Sequence, residues 1–241
     1  MEADPFELAQ MFADIAHDLA QQPTLAETLE QTVTSAVDSV PGCDYAGVSW
    51  LRRDMGIETP AATDPIVAEC DAAQYDLGEG PCVEATWEGE QYVVEDMRFE
   101  QRWPKFAARA AELGIGSMLA CQLAAPQGVV GALNLYARET KAFDEESQQI
   151  ATVFASHASI ALANQRMEND LRRAYESRGI VGQAIGIMIE RHRVTPGDAF
   201  EMLVRASQSR HVKMRDLATY VVETGIDPDK VQARQGRIIE S

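Results

Sequence analysis

The chain has 241 residues, enough for one large or two small domains, and its hydrophobic and charged fractions of 46% and 24% are ordinary for a soluble globular protein. No stretch approaches the ~20 apolar residues of a membrane span, and the acidic start lacks the basic region of a secretory signal, which predicts a cytoplasmic protein. A net charge of −17, averaged over the chain, argues against nucleic-acid binding.

The charge is divided unevenly along the chain. Residues 1–165 carry a net charge of −19, residues 166–225 carry +2, and the last 16 residues are balanced. Such asymmetry suggests separate tasks, because the later segment can meet a polyanion that the earlier one would repel.

Four cysteines stand at positions 43, 70, 82 and 121, with no C-x-x-C pair and no histidine at ligand spacing. This pattern predicts reduced thiols and no metal site. It identifies no cofactor.

The first 143 residues alternate helical and strand-like stretches. Two helices are predicted over residues 5–40, with a break at Gln22-Pro23 and a capping box formed by Thr24 and Glu27. The remaining predicted elements are strands at 45–51, 66–69, 92–95, 117–123 and 129–136, a turn at 75–82, and helices at 81–88 and 103–113. This order predicts an α+β fold in which a mostly antiparallel sheet is flanked by helices.

Three residues are candidates for a ligand site in this part. Cys82 follows a proline at a turn-to-helix junction, where a helix N-terminus lowers the pKa of a thiol; the alternative is a small buried residue. Trp87 and Trp103 either line a ligand pocket or fill the core.

Catalytic motifs are not evident. There is no G-x-S-x-G nucleophile elbow, no phosphate-binding loop and no outstanding carboxylate pair. His17 and His157 are interpreted as packing or surface residues. The sequence therefore predicts a protein that is not an enzyme.

Two motifs carry a family resemblance. They are Gly114-Ile115-Gly116-Ser117-Met118, leading into a strand, and Gly131-Ala132-Leu133-Asn134-Leu135-Tyr136, before a closing helix. With the order of elements, they make residues 6–165 resemble a GAF domain. The resemblance implies a sensor of a small molecule or a partner protein, without naming the ligand.

A long helix is predicted from Asp144 to about Glu190. Steps of three and four residues from Ile150 to Met188 reach twelve positions, of which nine are apolar. This 3.5-residue repeat is typical of a coiled coil and predicts a homodimer. The predicted contacts, which we call the seam, are Ile160, Asn164, Met167, Leu171, Ala174 and Val181. The alternative is two shorter helices broken near Gly179 or Gly182.

The C-terminal segment reads as two further helices. Thr195 and Asp198 form a capping box around Pro196 and start a helix to about Arg210. A second helix runs from about Lys213 to 223. With the end of the long helix they predict a small three-helix bundle.

This segment, residues 171–225, resembles an ANTAR domain, an RNA-binding module of transcription antiterminators. The residues that carry the resemblance are Leu171, Ala174, Ser177-Arg178, Ile180, Gln183-Ala184, Gly186-Ile187-Met188, Ala199-Phe200, Leu203, Ala206-Ser207, Lys213 and Leu217-Ala218. One departure is Ile185, where the family usually has lysine.

Cations and polar side chains in this segment suit an RNA hairpin, whose phosphates and unstacked loop bases they would contact. The predicted RNA-binding residues are Arg178, Gln183, Arg191, Arg193, Arg205, Ser207, Arg210, Lys213 and Arg215.

The sequence thus predicts a regulator with four parts: a GAF-like sensor (1–165), a connecting and dimerising helix (150–190), an ANTAR RNA-binding domain (166–225) and a polar tail (226–241). Its expected partners are hairpin RNA, a second copy of the chain and an unidentified signal at the sensor. A helical DNA-binding regulator, an enzyme on the GAF fold and a protein-interaction scaffold without RNA binding remain alternatives.

Overall fold

A computed structural model describes residues 5–52, 56–89, 91–126, 128–231, 233–234 and 237–238. The contacts divide the chain into two compact units, Met1–Met167 and Glu168–Ser241. Among the described residues, no helix is long and apolar enough to cross a membrane.

The N-terminal unit is built on a five-stranded antiparallel sheet with the strand order β2-β1-β5-β4-β3. The strands are β1 (Tyr45–Arg52), β2 (Gly56–Ala62), β3 (Gln91–Val94), β4 (Ser117–Ala125) and β5 (Gly128–Ala137). The predicted α+β fold on an antiparallel sheet is confirmed.

Among its described residues, five helices precede the long one in this unit. They are α1 (Pro5–Ala20), α2 (Leu25–Ser39), α3 (Pro65–Leu77), α4 (Pro81–Glu88) and α5 (Pro104–Glu112). The Thr24 part of the predicted capping box of α2 is present, since the Thr24 hydroxyl accepts a hydrogen bond from the Glu27 amide. The Glu27 carboxylate accepts from that hydroxyl and not from the Thr24 backbone amide that a capping box would use.

The sheet separates two hydrophobic cores, and β5 shows why. Side chains alternate across a strand, so Leu133 and Leu135 enter a core that also holds α2 and Phe154 from the long helix. Ala132 and Tyr136 enter the other core, which holds α3, α4 and α5. β5 therefore has one face toward each core, as does β4, whose Leu119 lies in the first core and Ala120 in the second.

One predicted element was wrong. Residues 66–69 belong to helix α3, not to a strand, and the extended segment comes earlier, as β2. Asp64 caps α3 by accepting a hydrogen bond from the Ile66 amide. The buried face of α3 includes Asp71 and Gln74, and these two polar residues conceal the apolar helical repeat.

The long helix α6 is continuous over Glu145–His192, 48 residues. The Asp144 carboxylate accepts hydrogen bonds from the amide and hydroxyl of Ser147 and so caps its first turn. The predicted continuous helix is confirmed, and the alternative break near Gly179 or Gly182 is wrong.

The seam of α6 is used in different ways along its length. At the two ends of the 3.5-residue repeat, Ile150 is buried in the first core and Met188 is buried in the second unit. Between them, five of the six seam residues are exposed in the single chain and Val181 is half-buried. The exposed ones are Ile160, Asn164, Met167, Leu171 and Ala174.

The C-terminal unit contains the end of α6, helices α7 (Pro196–Arg210) and α8 (Met214–Thr224), a 3₁₀ helix (Pro228–Lys230) and two-residue strands β6 (Ala233–Arg234) and β7 (Arg237–Ile238). The capping box of Thr195 and Asp198 is present. Ala184, Leu203 and Leu217 lie in its core, one from each of the three α-helices.

Candidate sensor site and nucleic-acid interface

A cluster of hydrogen-bonded polar side chains lies between the sheet and helices α3 and α4. We call it the polar cluster; its members are Ser49, Thr59, Asp71, Gln74, Tyr75, Cys82, Asn134 and Tyr136. All but Thr59 and Tyr75 are fully buried. A buried polar network of this size is unusual in a small core and is therefore a candidate functional site.

Local structure explains how the sequence assembles the cluster. Asp71, Gln74 and Tyr75 are three and four residues apart, which places them on one face of α3. Asn134 and Tyr136 alternate on β5 and point to the same side of the sheet. Residues that are far apart in the sequence meet in the cluster because the sheet brings distant strands together.

Asp71 is the charged centre of the cluster. Its carboxylate accepts hydrogen bonds from the Thr59 hydroxyl at 2.8 Å, from the Asn134 amide at 2.8 Å and from the Tyr136 hydroxyl. None of the ion pairs among the described residues involves Asp71. Burial disfavours the charge and raises the pKa of Asp71 from 3.8 to about 6, although the three hydrogen bonds oppose this.

Cys82 lies at the start of α4 and belongs to the cluster. Its sulfur is 2.8 Å from the Ser49 hydroxyl, and its amide donates to the Gln74 side chain. Burial, followed by the nearby Asp71 charge, raises the pKa of the Cys82 thiol to about 12. The prediction of a lowered thiol pKa is therefore wrong, because desolvation outweighs the helix N-terminus, and the alternative of a small buried residue holds.

Asn134 is the one member with an unsatisfied atom. Its amide nitrogen donates to both Ser49 and Asp71 at 2.8 Å. Its oxygen Oδ1 is the buried side-chain atom that lacks a hydrogen-bond partner among the described residues. The amide nitrogen thus ties the hydroxyl end of the cluster to its carboxylate.

The two tryptophans are not members of the polar cluster. Trp103 is buried in the second core, where its indole N–H donates to Glu84 at 2.6 Å and its ring meets Tyr92 edge-on. Trp87 is 64% exposed near the end of α4. Trp103 therefore fills the core, whereas Trp87 does not.

Seven of the eight cluster residues were missed in the sequence. Polar side chains inside a core break the apolar periodicity on which sequence reading depends. The helical spacing of Asp71 and Gln74 beside Val67 and Cys70 was the available signal.

The predicted RNA-binding cations fall into two groups. The first group is exposed and makes no ion pair among the described residues; it consists of Arg178, Arg193, Arg205 and Lys213. Arg193 and Lys213 lie at opposite ends of α7, and Arg193 has a positive φ of 51° in the turn after α6. These four side chains are available to phosphates.

The second group has structural partners. Arg191 forms an ion pair with Asp227 at 2.9 Å, and Arg215 one with Glu176 at 3.3 Å. The Arg210 guanidinium donates to the carbonyls of Asp229 and Val231 and fastens the segment after α8. Ser207 donates to the Val212 carbonyl at the end of α7. These side chains are less available than the sequence suggests.

An open groove of about 700 Å³ lies beside the C-terminal half of α6. It is lined by Gln183, Gly186, Ile187, Glu190, Arg191 and Val222. Gln183 is exposed there, and a side chain at Gly186 would meet only open space. Ile185, the departure from the ANTAR pattern, is half-buried against the core of this unit, as is Val181 of the seam.

A family model of the GAF domain matches residues 22–163, more than half of the chain, and a model of the ANTAR domain matches residues 169–222. The two matches fall on the two compact units. The chain therefore belongs to the GAF domain family and carries an ANTAR domain after it. This combination of domains is that of a regulatory protein.

Solved structures agree with the fold of the N-terminal unit. The GAF domain of a phosphoenolpyruvate-protein phosphotransferase from Coxiella burnetii is 16% identical, with a TM-score of 0.54 over 70% of this chain and 99% of that one. A phytochrome photosensory core module from Stigmatella aurantiaca is 12% identical, with a TM-score of 0.58 over 88% of this chain and 47% of that one. Such identities show the fold alone. No curated protein matches the chain.

Proposed function

We propose that the protein is a signal-responsive RNA-binding regulator of transcription antitermination. In this proposal residues 1–165 sense a small molecule or a partner protein, residues 166–225 bind hairpin RNA, and residues 226–241 are a polar tail. The helix over 150–190 connects the parts and pairs two copies. The protein acts in the cytoplasm.

The observation that carries the proposal is the match of an ANTAR domain to residues 169–222, joined to a GAF domain by one unbroken helix. The charge distribution supports it, since the matched segment is the cationic part of an otherwise acidic chain. The four exposed, unpaired cations offer contacts to phosphates, which supply most of the affinity of such complexes.

The exposed seam supports pairing of two copies. Ile160, Met167 and Leu171 are 53%, 48% and 63% exposed in the single chain. Asn164 lies between them on the same stripe, a position at which asparagine fixes register in paired helices. A dimer would bring two RNA-binding units to one molecule.

A gel mobility experiment tests the RNA part of the proposal. The full chain is titrated into hairpin RNAs with randomised loops, and into duplex DNA of the same stem sequence. We expect a hairpin RNA complex that weakens as salt rises, because phosphate contacts release counterions. Preference for duplex DNA would favour a DNA-binding regulator instead, and no complex with either would favour a protein-interaction scaffold.

A further inference from the structure

Five members of the polar cluster form one continuous hydrogen-bond chain. It runs from Asp71 Oδ2 to Thr59 Oγ1 at 2.8 Å, then to Tyr75 Oη at 2.8 Å, to Ser49 Oγ at 2.6 Å and to Cys82 Sγ at 2.8 Å. The three interior members are hydroxyl groups, each of which both donates and accepts. The chain can therefore run in either direction without movement of its heavy atoms.

The charge on Asp71 sets that direction. An ionised carboxylate only accepts, so Thr59 donates to it, Tyr75 to Thr59, Ser49 to Tyr75 and the Cys82 thiol to Ser49. When Asp71 takes up one proton on Oδ2, that proton is donated to Thr59 and each hydroxyl turns to the next. The Ser49 hydroxyl then donates to the Cys82 sulfur, and the S–H, a weak donor, is released.

Nothing among the described residues neutralises Asp71 except a proton. Its contacts from β2 and β5 are neutral donors, as is Gln74 of its own helix. The titratable groups that act with it are Tyr75 of α3, Tyr136 of β5 and Cys82 of α4.

Tyrosine and cysteine side chains never carry positive charge, and burial raises the pKa of each of those three groups, so they stay neutral beside Asp71. On α3, Cys70 adds a thiol whose pKa is also raised by burial, to about 12. From α5, Arg109 acts on that thiol, but its guanidinium is half-exposed and paired with Glu112.

The cluster also has a structural connection to α6. Asn134 and Tyr136, which donate to Asp71, alternate on β5 with Leu133 and Leu135. These leucines pack in the core that contains Phe154 of α6. Protonation of Asp71 removes the charge that strengthens the hydrogen bonds from Asn134 and Tyr136, so its effect reaches β5 through these two donors, and through β5 the first half of the long helix.

From these contacts we infer that Asp71 is a proton-binding site, and that mild acidification reverses the hydrogen-bond chain and alters the packing of β5 against α6. The inference rests on the proposed sensor role of the N-terminal unit and names the proton as one of its signals. The pKa of about 6 places the transition just below neutral pH.

Infrared difference spectra of the full chain between about pH 7.5 and about pH 5 test the proton uptake. We expect the carbonyl band of a protonated, buried carboxylic acid in the wild type and its loss in Asp71→Asn. The control is Asp76→Asn, an exposed carboxylate on the same helix, which should keep the band. Persistence of the band in Asp71→Asn would overturn the assignment.

Hydrogen exchange tests the coupling to α6. After correction for the intrinsic effect of pH, acidified wild type and Asp71→Asn at about pH 7.5 should show the same altered protection in β5 and in residues 145–167. Asp76→Asn at the same pH should match the wild type. If Asp71 has only a structural role, acidification will leave the protection of α6 unchanged. That result would contradict the inference.

Thr59→Val provides a second variant should Asp71→Asn fail to fold. It removes the first hydroxyl of the chain and a donor to the ionised carboxylate, so the infrared transition and the response of α6 should both shift to higher pH. A wild-type response in this variant would contradict the inference. These readouts involve neither RNA nor added ligand, so their outcome is independent of the gel experiment.

Discussion

At the scale of single residues, Asp71 makes the stability of the protein depend on pH. Its pKa in the folded chain, about 6, lies above the ordinary 3.8, so folding favours the protonated form. This contribution to stability is fully present below about pH 4 and is lost as pH rises through about 6. At neutral pH the loss is of the order of 3 kcal/mol.

Urea unfolding of the wild type and Asp71→Asn at several pH values checks this. The amide cannot ionise, so the variant should lack the decline between about pH 4 and about pH 6 and gain relative stability toward neutrality. Asp76→Asn, on the exposed side of α3, should follow the wild type. A constant difference between wild type and Asp71→Asn across this window would contradict the burial argument.

Two arginines of the C-terminal unit should separate RNA binding from stability. Arg205 is exposed and unpaired, so Arg205→Ala should weaken hairpin binding and reduce the dependence of log affinity on log salt by about one charge, with little effect on unfolding. Arg210 holds the carbonyls of Asp229 and Val231, so Arg210→Ala should cost roughly 1–3 kcal/mol of stability.

Salt-dependent binding titrations and thermal unfolding of both variants distinguish these roles. Equal loss of stability in the two, or unchanged RNA affinity in Arg205→Ala, would show that the division into available and structural cations is mistaken.

At the scale of elements, the proposed pairing through the exposed seam of α6 predicts a dimer. Leu171 is 63% exposed in one chain and is central to the proposed pairing. Leu171→Glu should weaken the dimer on the order of 100-fold, because two leucines lose their burial and two charges face each other. The matched control is Arg172→Glu, a charge change one residue away and off the stripe.

Sedimentation analysis over a range of concentrations gives the dimer dissociation constant of each variant. A wild type that is monomeric throughout, or equal dissociation constants for Leu171→Glu and Arg172→Glu, would refute pairing through the seam.

Glycines in α6 and in β5 should respond oppositely to alanine. A Cβ at Gly182 meets open space, so Gly182→Ala should stabilise the helix by about 1 kcal/mol. A Cβ at Gly131 would lie 1.8 Å from the Ser49 carbonyl oxygen, so Gly131→Ala should push β5 away from β1 and destabilise by more than roughly 2 kcal/mol. Denaturant unfolding compares the two, and a stabilised Gly131→Ala would be inconsistent with the close strand pairing.

Elements with an apolar period or a capping signal were predictable from the sequence. Asp144 and the seam gave α6, and Thr195 with Asp198 gave α7, because helix caps and repeats are local signals. The polar cluster was not predictable in this way. Asp71 on the inner face of α3 and Asn134 on β5 meet through the sheet, and no local pattern reports that contact.

The predicted RNA surface shows a second limit. Arg178 and Arg210 look alike in the sequence, but the acceptors that engage Arg210 are carbonyls about twenty residues further on. A count of charges therefore does not distinguish a cation that is hydrogen-bonded to the backbone of another segment from one that is available to phosphate.

At the scale of the whole molecule, a GAF domain, one continuous helix and an ANTAR domain follow each other in a single chain. The proposed function depends on recognition of hairpin RNA by the C-terminal unit. A signal at the N-terminal unit, whether a ligand or the proton at Asp71, can affect transcription only if the chain binds such RNA.

The most direct measurement is capture of cellular RNA on the purified full chain, followed by sequencing, in parallel with an Arg193→Glu/Arg205→Glu double variant. The proposal predicts enrichment of transcripts that share a hairpin, with that enrichment lost in the variant. Captured RNA with no common hairpin, or the same transcripts bound equally by the variant, would contradict it.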